Sequence, residues 1–291
     1  MLWKFIYLMS RTSYVIAERR YDLMSNWDNM LQWEVVLPPS RPTEEELNRI
    51  VKEISHYDKK LPVAVLGSTP EFREILHRLN FSNIYIFEKS IDFYYQMSEL
   101  LPGYVSENEQ FILGNWLETL PIYPRRFQFV LSDLTMGNLP YEDRYSFYDS
   151  IYSSLVPGGV FIDKVLAFDF PVPSLEDLFR KYEDLPINLR TINDFSSEVL
   201  FCSELVMEKQ MVNSTQFYKI IREGNYSEKI KMFAEKAKMI TPEGFIWYYG
   251  KSWDELSTDY LSKYSRVIIY PETEIKSPYC NRTKQFFCHK Q

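Results

Sequence analysis

Apolar positions along the chain change their spacing twice. In the first part they recur as on one face of a helix: Leu23, Met24, Trp27, Met30 and Leu31 within Asp22 to Trp33. Pro38, Pro39 and Pro42 then interrupt the chain. Thr43, with Glu46 three residues on, is a capping box that predicts a helix to about His56. From Leu61 the spacing shortens into continuous apolar runs at Leu61–Leu66, Asn83–Phe87, Glu109–Leu113 and Phe127–Leu131, with a fifth beginning at Val160–Ile162. Runs of this length suit strands buried on both faces. Between them, Pro70–Leu79, Ser90–Leu101 and Tyr145–Leu155 carry helical spacing, the last stopped by Pro157-Gly158-Gly159. Such alternation predicts an α/β fold, a parallel sheet with helices on both faces and right-handed crossovers.

Beyond Phe170 the alternation stops. Residues 174–182, 194–208, 213–223 and 227–239 have helical spacing, with Asp194 and Ser227 as expected N-caps. Ser252 to Glu255 is a second capping box, opening a helix to about Tyr264. Arg266–Tyr270 then reads as a strand, 278–282 as a turn-rich link, and Thr283–Cys288 as a final strand antiparallel to its predecessor. Three parts follow: an N-terminal helical segment (1–60), an α/β core (61–167 with 251–291), and a helical insertion (168–250) placed to cover the substrate side of the sheet.

Composition narrows the chemistry. Glycine is scarce, 9 in 291 residues, and neither a G-x-x-x-x-G-K-[ST] phosphate loop nor a G-x-G-x-x-G fingerprint occurs. The net charge of −7 repels polyphosphate, which disfavours nucleic acid as a partner and favours a small-molecule substrate. Three cysteines without a C-x-x-C pair point to a reducing cytoplasm and give no metal site. No apolar run is long enough to span a membrane. Oligomeric state is left open.

In an open parallel sheet, ligands bind beyond the carboxyl ends of the strands. The residues just past the first four runs are Gly67, Glu88, Asn115 with Trp116, and Asp133. Glycine lets a backbone approach a ligand closely, and the helix after it offers free N–H groups to an anion. A carboxylate at Glu88, 21 positions after Gly67, suits a ribose diol. The Asn115 amide suits a purine edge, and Trp116 an adjacent ring face. Asp133 suits an ammonium group or a bound water. The histidines His56, His77 and His289 fall in helical or terminal positions and read as structural.

The stretches VAVLGSTPEFREI, IYIFEKS, FILGNWLETLP, FQFVLSDLTMGNLP and SLVPGGVFIDKVL, taken in this order, resemble the class I S-adenosylmethionine-dependent methyltransferases. The resemblance covers 61–167 and extends to 252–291. It implies a Rossmann-like, doubly wound seven-stranded sheet with an antiparallel last strand, and S-adenosylmethionine as cofactor. It further implies that Gly67, Ser68 and Thr69 line the methionine part, that Glu88 binds the ribose with Lys89 beside the adenine, and that Asn115 and Trp116 flank the adenine. Asp133, Leu134 and Thr135 would lie by the methionine amine and the methyl group. The family's loop usually alternates three glycines; here Thr69 and Glu71 replace two of them, Val65 replaces the usual acid, and Asn115 stands for a commoner aspartate.

Asn138-Leu-Pro-Tyr141 is similar to the N-P-P-Y signature of amino-group methyltransferases, but begins five residues past Asp133 and reads as a proline turn. If a general base is used, Asp133, Tyr141 and Asp143 are the candidates. The aromatic run Phe245–Tyr249 either lines an apolar pocket or packs the insertion onto the core. The expected activity is methyl transfer to a small molecule. The alternatives are a nucleic-acid or protein methyltransferase, and a nucleoside-binding protein without turnover.

Overall fold

The computed structural model describes residues 33, 36–37, 40–101, 106–167, 172–207, 211–249, 252–271 and 282–291. The expected helix over Asp22–Trp33 lies outside them except for Trp33, and so does most of the 278–282 link. The first helix described is α1 (Glu44–Ile54). Its capping box forms as expected: the Thr43 hydroxyl accepts from the Glu46 amide at 3.2 Å, and the Glu46 carboxylate accepts from the Thr43 amide at 2.8 Å.

Strand β1 (Val63–Leu66) leads through helix α2 (Pro70–Arg78) to β2 (Ile84–Glu88), then through α3 (Ile91–Glu99) to β3 (Glu109–Leu113). A one-turn helix α4 (Trp116–Thr119) precedes β4 (Phe127–Asp133). Helix α5 (Arg144–Ser154) connects β4 to the long β5 (Leu155–Leu166). Leu155 pairs with Phe127 and Val160 with Phe129, so the Pro-Gly-Gly segment bulges inside a strand rather than preceding it. The turn residues are present, but the chain re-enters the same ladder after four residues.

The insertion follows: α6 (Leu175–Asp184), α7 (Leu189–Phe195), α8 (Glu204–Met207), strand β6 (Met211–Asn213), α9 (Ser214–Glu223), α10 (Glu228–Ala237) and strand β7 (Ile246–Tyr248). Helix α7 starts earlier than its apolar spacing suggested. Asn188 caps it reciprocally with Thr191, and Asp194 pairs with Arg190 one turn back instead of capping. Strands β6 and β7 form a small antiparallel pair of their own, too short to show a period in sequence. Helix α11 (Trp253–Lys263), capped by Ser252, leads to β8 (Arg266–Pro271) and β9 (Thr283–His289).

The main sheet has seven strands in the order β3-β2-β1-β4-β5-β9-β8. Strands β1 to β5 pair in parallel, and β9 runs antiparallel to both neighbours. This is the doubly wound sheet with a reversed last strand implied by the resemblance. Alternate strand residues feed two cores. Val63, Val65, Phe129 and Leu131 pack against α1, α2 and α3, whereas Ala64, Leu66, Phe127 and Val130 pack against α5 and α11. Each of the buried Val, Leu and Phe side chains contributes about 1.5–3 kcal/mol.

The insertion has a third core of its own, around Tyr182, Phe195, Phe217 and Phe233. It includes Leu166 at the end of β5 and draws in Leu134 from the turn after β4. The closest approach is at Gly137, where an added Cβ would stand 2.0 Å from Trp247 Cε2. Replacing Gly137 by Ala should push the indole off this turn and destabilise the protein by about 1–3 kcal/mol. Urea denaturation measures this; an unchanged midpoint would show that the insertion is not seated through Trp247.

Candidate functional site

The strand order places the carboxyl ends of β1, β2, β3 and β4 side by side, so the residues picked out at those ends gather along one edge. Gly67 follows β1 with φ +86°, and its amide donates to the Phe87 carbonyl at 2.8 Å. A Cβ added there would meet no atom within 4 Å. The left-handed backbone, not crowding, therefore calls for glycine. Ser68 is buried and directs its hydroxyl at Glu88 Oε2, 3.4 Å away. Thr69 is the N-cap of α2 but makes no side-chain cap bond.

Glu88 ends β2. Its Oε1 accepts from the Lys89 and Ser90 amides at 2.8 and 3.1 Å. Burial raises its pKa, and the hydrogen bonds from Ser90, Lys89 and Ser68 work against that rise. Asn115 uses its side-chain carbonyl to cap α4 through the Leu117 amide. Trp116 donates its indole N–H to the Phe87 carbonyl at 2.9 Å and leans on Phe147. Both residues stand at the expected strand end, each held there by a local hydrogen bond.

Asp133 lies at the centre of a buried charge cluster. Its Oδ1 is 3.9 Å from Lys164 Nζ and accepts no hydrogen bond. Lys164, on β5, also reaches Glu46 Oε2 at 3.0 Å and the Arg41 carbonyl at 3.4 Å. Glu71, on α2, pairs with Arg41 and accepts from the Trp33 indole at 3.0 Å. Burial pushes the Asp133 carboxyl up to about 8; Lys164 opposes the shift, while Glu46, Glu71 and Asp163 add to it. Asp163, on the same strand as Lys164, is pushed up to about 7 by burial, against hydrogen bonds from Tyr260 and Ser132.

Leu134 follows with φ +55°, a strained value for a branched side chain, fixed by its amide donating to the Lys164 carbonyl. Thr135 is buried in the next turn. Tyr141 is exposed, and Asp143 precedes α5 without a cap bond. Arg144, the first residue of α5, is buried; its guanidinium lies 4.3 Å from the Tyr141 ring and donates to the Tyr248 carbonyl of β7 at 3.1 Å. Of the aromatic run, Phe245, Trp247 and Tyr249 are buried in the insertion core, whereas Tyr248 meets Tyr141 edge-on.

Sequence reasoning did not single out Lys164, Arg41 or Arg144, and took Glu46 only as the acid of a capping box. A signal existed for one of them: Lys164 is a charge inside an apolar strand, and such charges are rarely buried unpaired. Arg41 lies in the bend before α1, while Glu46 and Arg144 are helical, and packing alone sets what each of them meets. Among the described residues no group of three or more His, Cys, Asp or Glu is placed to hold a metal ion, and no helix is long and apolar enough to cross a membrane.

No protein-family model and no curated protein sequence matches the chain. Similarity lies with solved structures. A Listeria monocytogenes protein described as an S-adenosylmethionine-dependent methyltransferase matches 85% of this chain and 96% of its own at 11% identity, with TM-score 0.50. A Rhodobacter sphaeroides protein described as a Zn-dependent alcohol dehydrogenase matches 91% and 98% at 13% identity, also at 0.50. A Mesorhizobium loti S-adenosylmethionine-dependent methyltransferase matches 84% and 96% at 13% identity, with TM-score 0.49. Identities this low establish the fold alone. The strand order and the reversed β9, with the Listeria monocytogenes match, show a Rossmann-like seven-stranded fold of the kind seen in S-adenosylmethionine-dependent methyltransferases.

Asp133 also sets a pH dependence. Its carboxyl holds a proton more tightly folded than unfolded, so its contribution to stability falls as pH rises from about 4 to about 8. Asp133→Asn removes this contribution, so the variant should gain on the wild type between pH 5 and pH 8 in urea denaturation. Parallel pH profiles for the two proteins would contradict the assignment.

Proposed function

We propose that the protein is an S-adenosylmethionine-dependent methyltransferase acting on a small-molecule acceptor. The observation that carries this reading is the unobstructed face of Gly67 beside the carboxylate of Glu88, at adjacent strand ends of this fold. Gly67, Ser68 and Thr69 would hold the methionine part, Glu88 the ribose, and Lys89, Asn115 and Trp116 the adenine. Asp133, Leu134 and Thr135 would border the amine and the methyl group. The unpartnered Oδ1 of Asp133 suits an ammonium, whose arrival would favour the ionised carboxylate.

The bound cofactor would supply an already activated methyl group on its sulfonium, so the protein's own task is alignment and exclusion of water. Trp247, seated on the turn after β4, supports the insertion (168–250) as the acceptor-side cover, with 61–167 and 251–291 as the catalytic core. Burial favours the protonated form of Asp133 and an arriving ammonium the ionised one, so this side chain suits holding the amine better than acting as a general base. The net charge of −7 supports a small acceptor over a nucleic acid, and the cysteine usage supports a cytoplasmic setting.

Calorimetry with S-adenosylhomocysteine tests the reading. Binding is expected, and absence of binding at high micromolar ligand would refute it. Glu88→Gln keeps the side chain's volume and removes its charge, so affinity should fall about tenfold or more. Radiolabelled methyl transfer to pooled metabolites separates an enzyme from a nucleoside-binding protein without turnover.

A further inference from the structure

Arg144 has an unusual environment for a buried cation. The residue is 5% exposed, yet among the described residues no carboxylate pairs with it. One amino group, Nη2, donates to the Tyr248 carbonyl, while Nε and Nη1 have no acceptor. The titratable groups that bear on it most are neutral tyrosine hydroxyls, of Tyr148, Tyr141, Tyr260 and Tyr248, and not carboxylates. An arginine can donate five N–H bonds and cannot accept one. Leaving a buried guanidinium without an anion is costly.

The position of Arg144 gives this a direction. It begins the helix that follows the turn after β4, so it stands at the carboxyl edge of the sheet. The Tyr141 ring stacks on it at 4.3 Å and is itself partly open to solvent, and Tyr248 of the insertion closes edge-on at 6.0 Å. On the same seam, the Trp247 indole lies against Gly137 with its buried N–H lacking an acceptor.

We propose that Arg144 binds a carboxylate of the methyl acceptor, with Tyr141 and Tyr248 as aromatic walls, so that the enzyme selects carboxylate-bearing small molecules. This rests on the methyltransferase reading for the word acceptor, though not for the anion site itself. A planar carboxylate matches guanidinium donors, and the stacked tyrosine favours an aromatic or otherwise flat body next to it. Arg144 is a specificity residue here and takes no part in moving the methyl group.

The test uses the full chain with nitrogen-labelled arginine, with and without S-adenosylhomocysteine. The Arg144 Nε–H resonance, assigned through bonds, is followed by NMR while benzoate or its uncharged counterpart benzamide is added. A saturable shift with benzoate and none with benzamide is expected. Arg144→Lys should weaken benzoate binding about ten- to a hundredfold. Should that variant fail to fold, the wild-type titration decides alone. An Arg144 signal that ignores benzoate, or answers benzamide equally, overturns the proposal and leaves Arg144 as a clamp on the insertion strand. If S-adenosylhomocysteine binds while that signal stays unmoved, only this inference fails. If the signal answers benzoate but S-adenosylhomocysteine does not bind, the anion site stands and the methyltransferase reading falls.

Discussion

The buried ammonium of Lys164 organises the carboxyl edge of the sheet. An ammonium taken out of water is costly unless its partners are close and well placed. Among the described residues it meets the Glu46 carboxylate at 3.0 Å, the Arg41 carbonyl at 3.4 Å and Asp133 at 3.9 Å. Glu46 is also the capping-box acid of α1, so one carboxylate both starts the N-terminal helix and fastens it to the fifth strand. The Lys164 backbone carbonyl in turn receives the amide of Leu134 and holds the strained turn after β4. Strand, helix and turn are fixed by the needs of a single charge.

The same cluster explains why the first loop departs from the glycine-rich form. Glu71 stands where the resemblance would place a glycine, and its side chain is tied to Arg41 and Trp33 from the N-terminal segment. The loop trades backbone freedom for side-chain anchoring. Gly67 keeps its positive φ because the chain must still turn sharply out of β1.

Acid crowds one side of this edge and unpartnered donors the other. Burial raises the affinity of Asp133 for a proton, and the nearby Glu46, Glu71 and Asp163 add to that rise. Across the turn after β4, Arg144 and Trp247 offer N–H groups without acceptors. Such a division suits a ligand pair carrying a cationic group near Asp133 and an anionic one near Arg144. The Tyr260 hydroxyl donates to Asp163 Oδ2 at 2.7 Å and lies 3.4 Å from the Tyr148 hydroxyl.

The alternation of apolar runs with helical spacing was sufficient to determine the sheet. Strands buried on both faces must be continuously apolar, and a period of this kind survives in sequence. The positions of Gly67, Glu88, Asn115 and Asp133 followed, because strand ends are set by where those runs stop. The capping boxes at Thr43 and Ser252 were legible for the same reason: their hydrogen bonds join residues three apart. Strands β6 and β7 were not, since three residues cannot display a period. Nor were Lys164 with Glu46, Glu71 with Arg41, or Arg144 with Tyr248, whose partners lie 118, 30 and 104 positions apart. Local sequence encodes local hydrogen bonds and the side a residue faces. Which distant charge meets which, and which donor is left without a partner, depends on how the elements pack, and only the tertiary structure decides that.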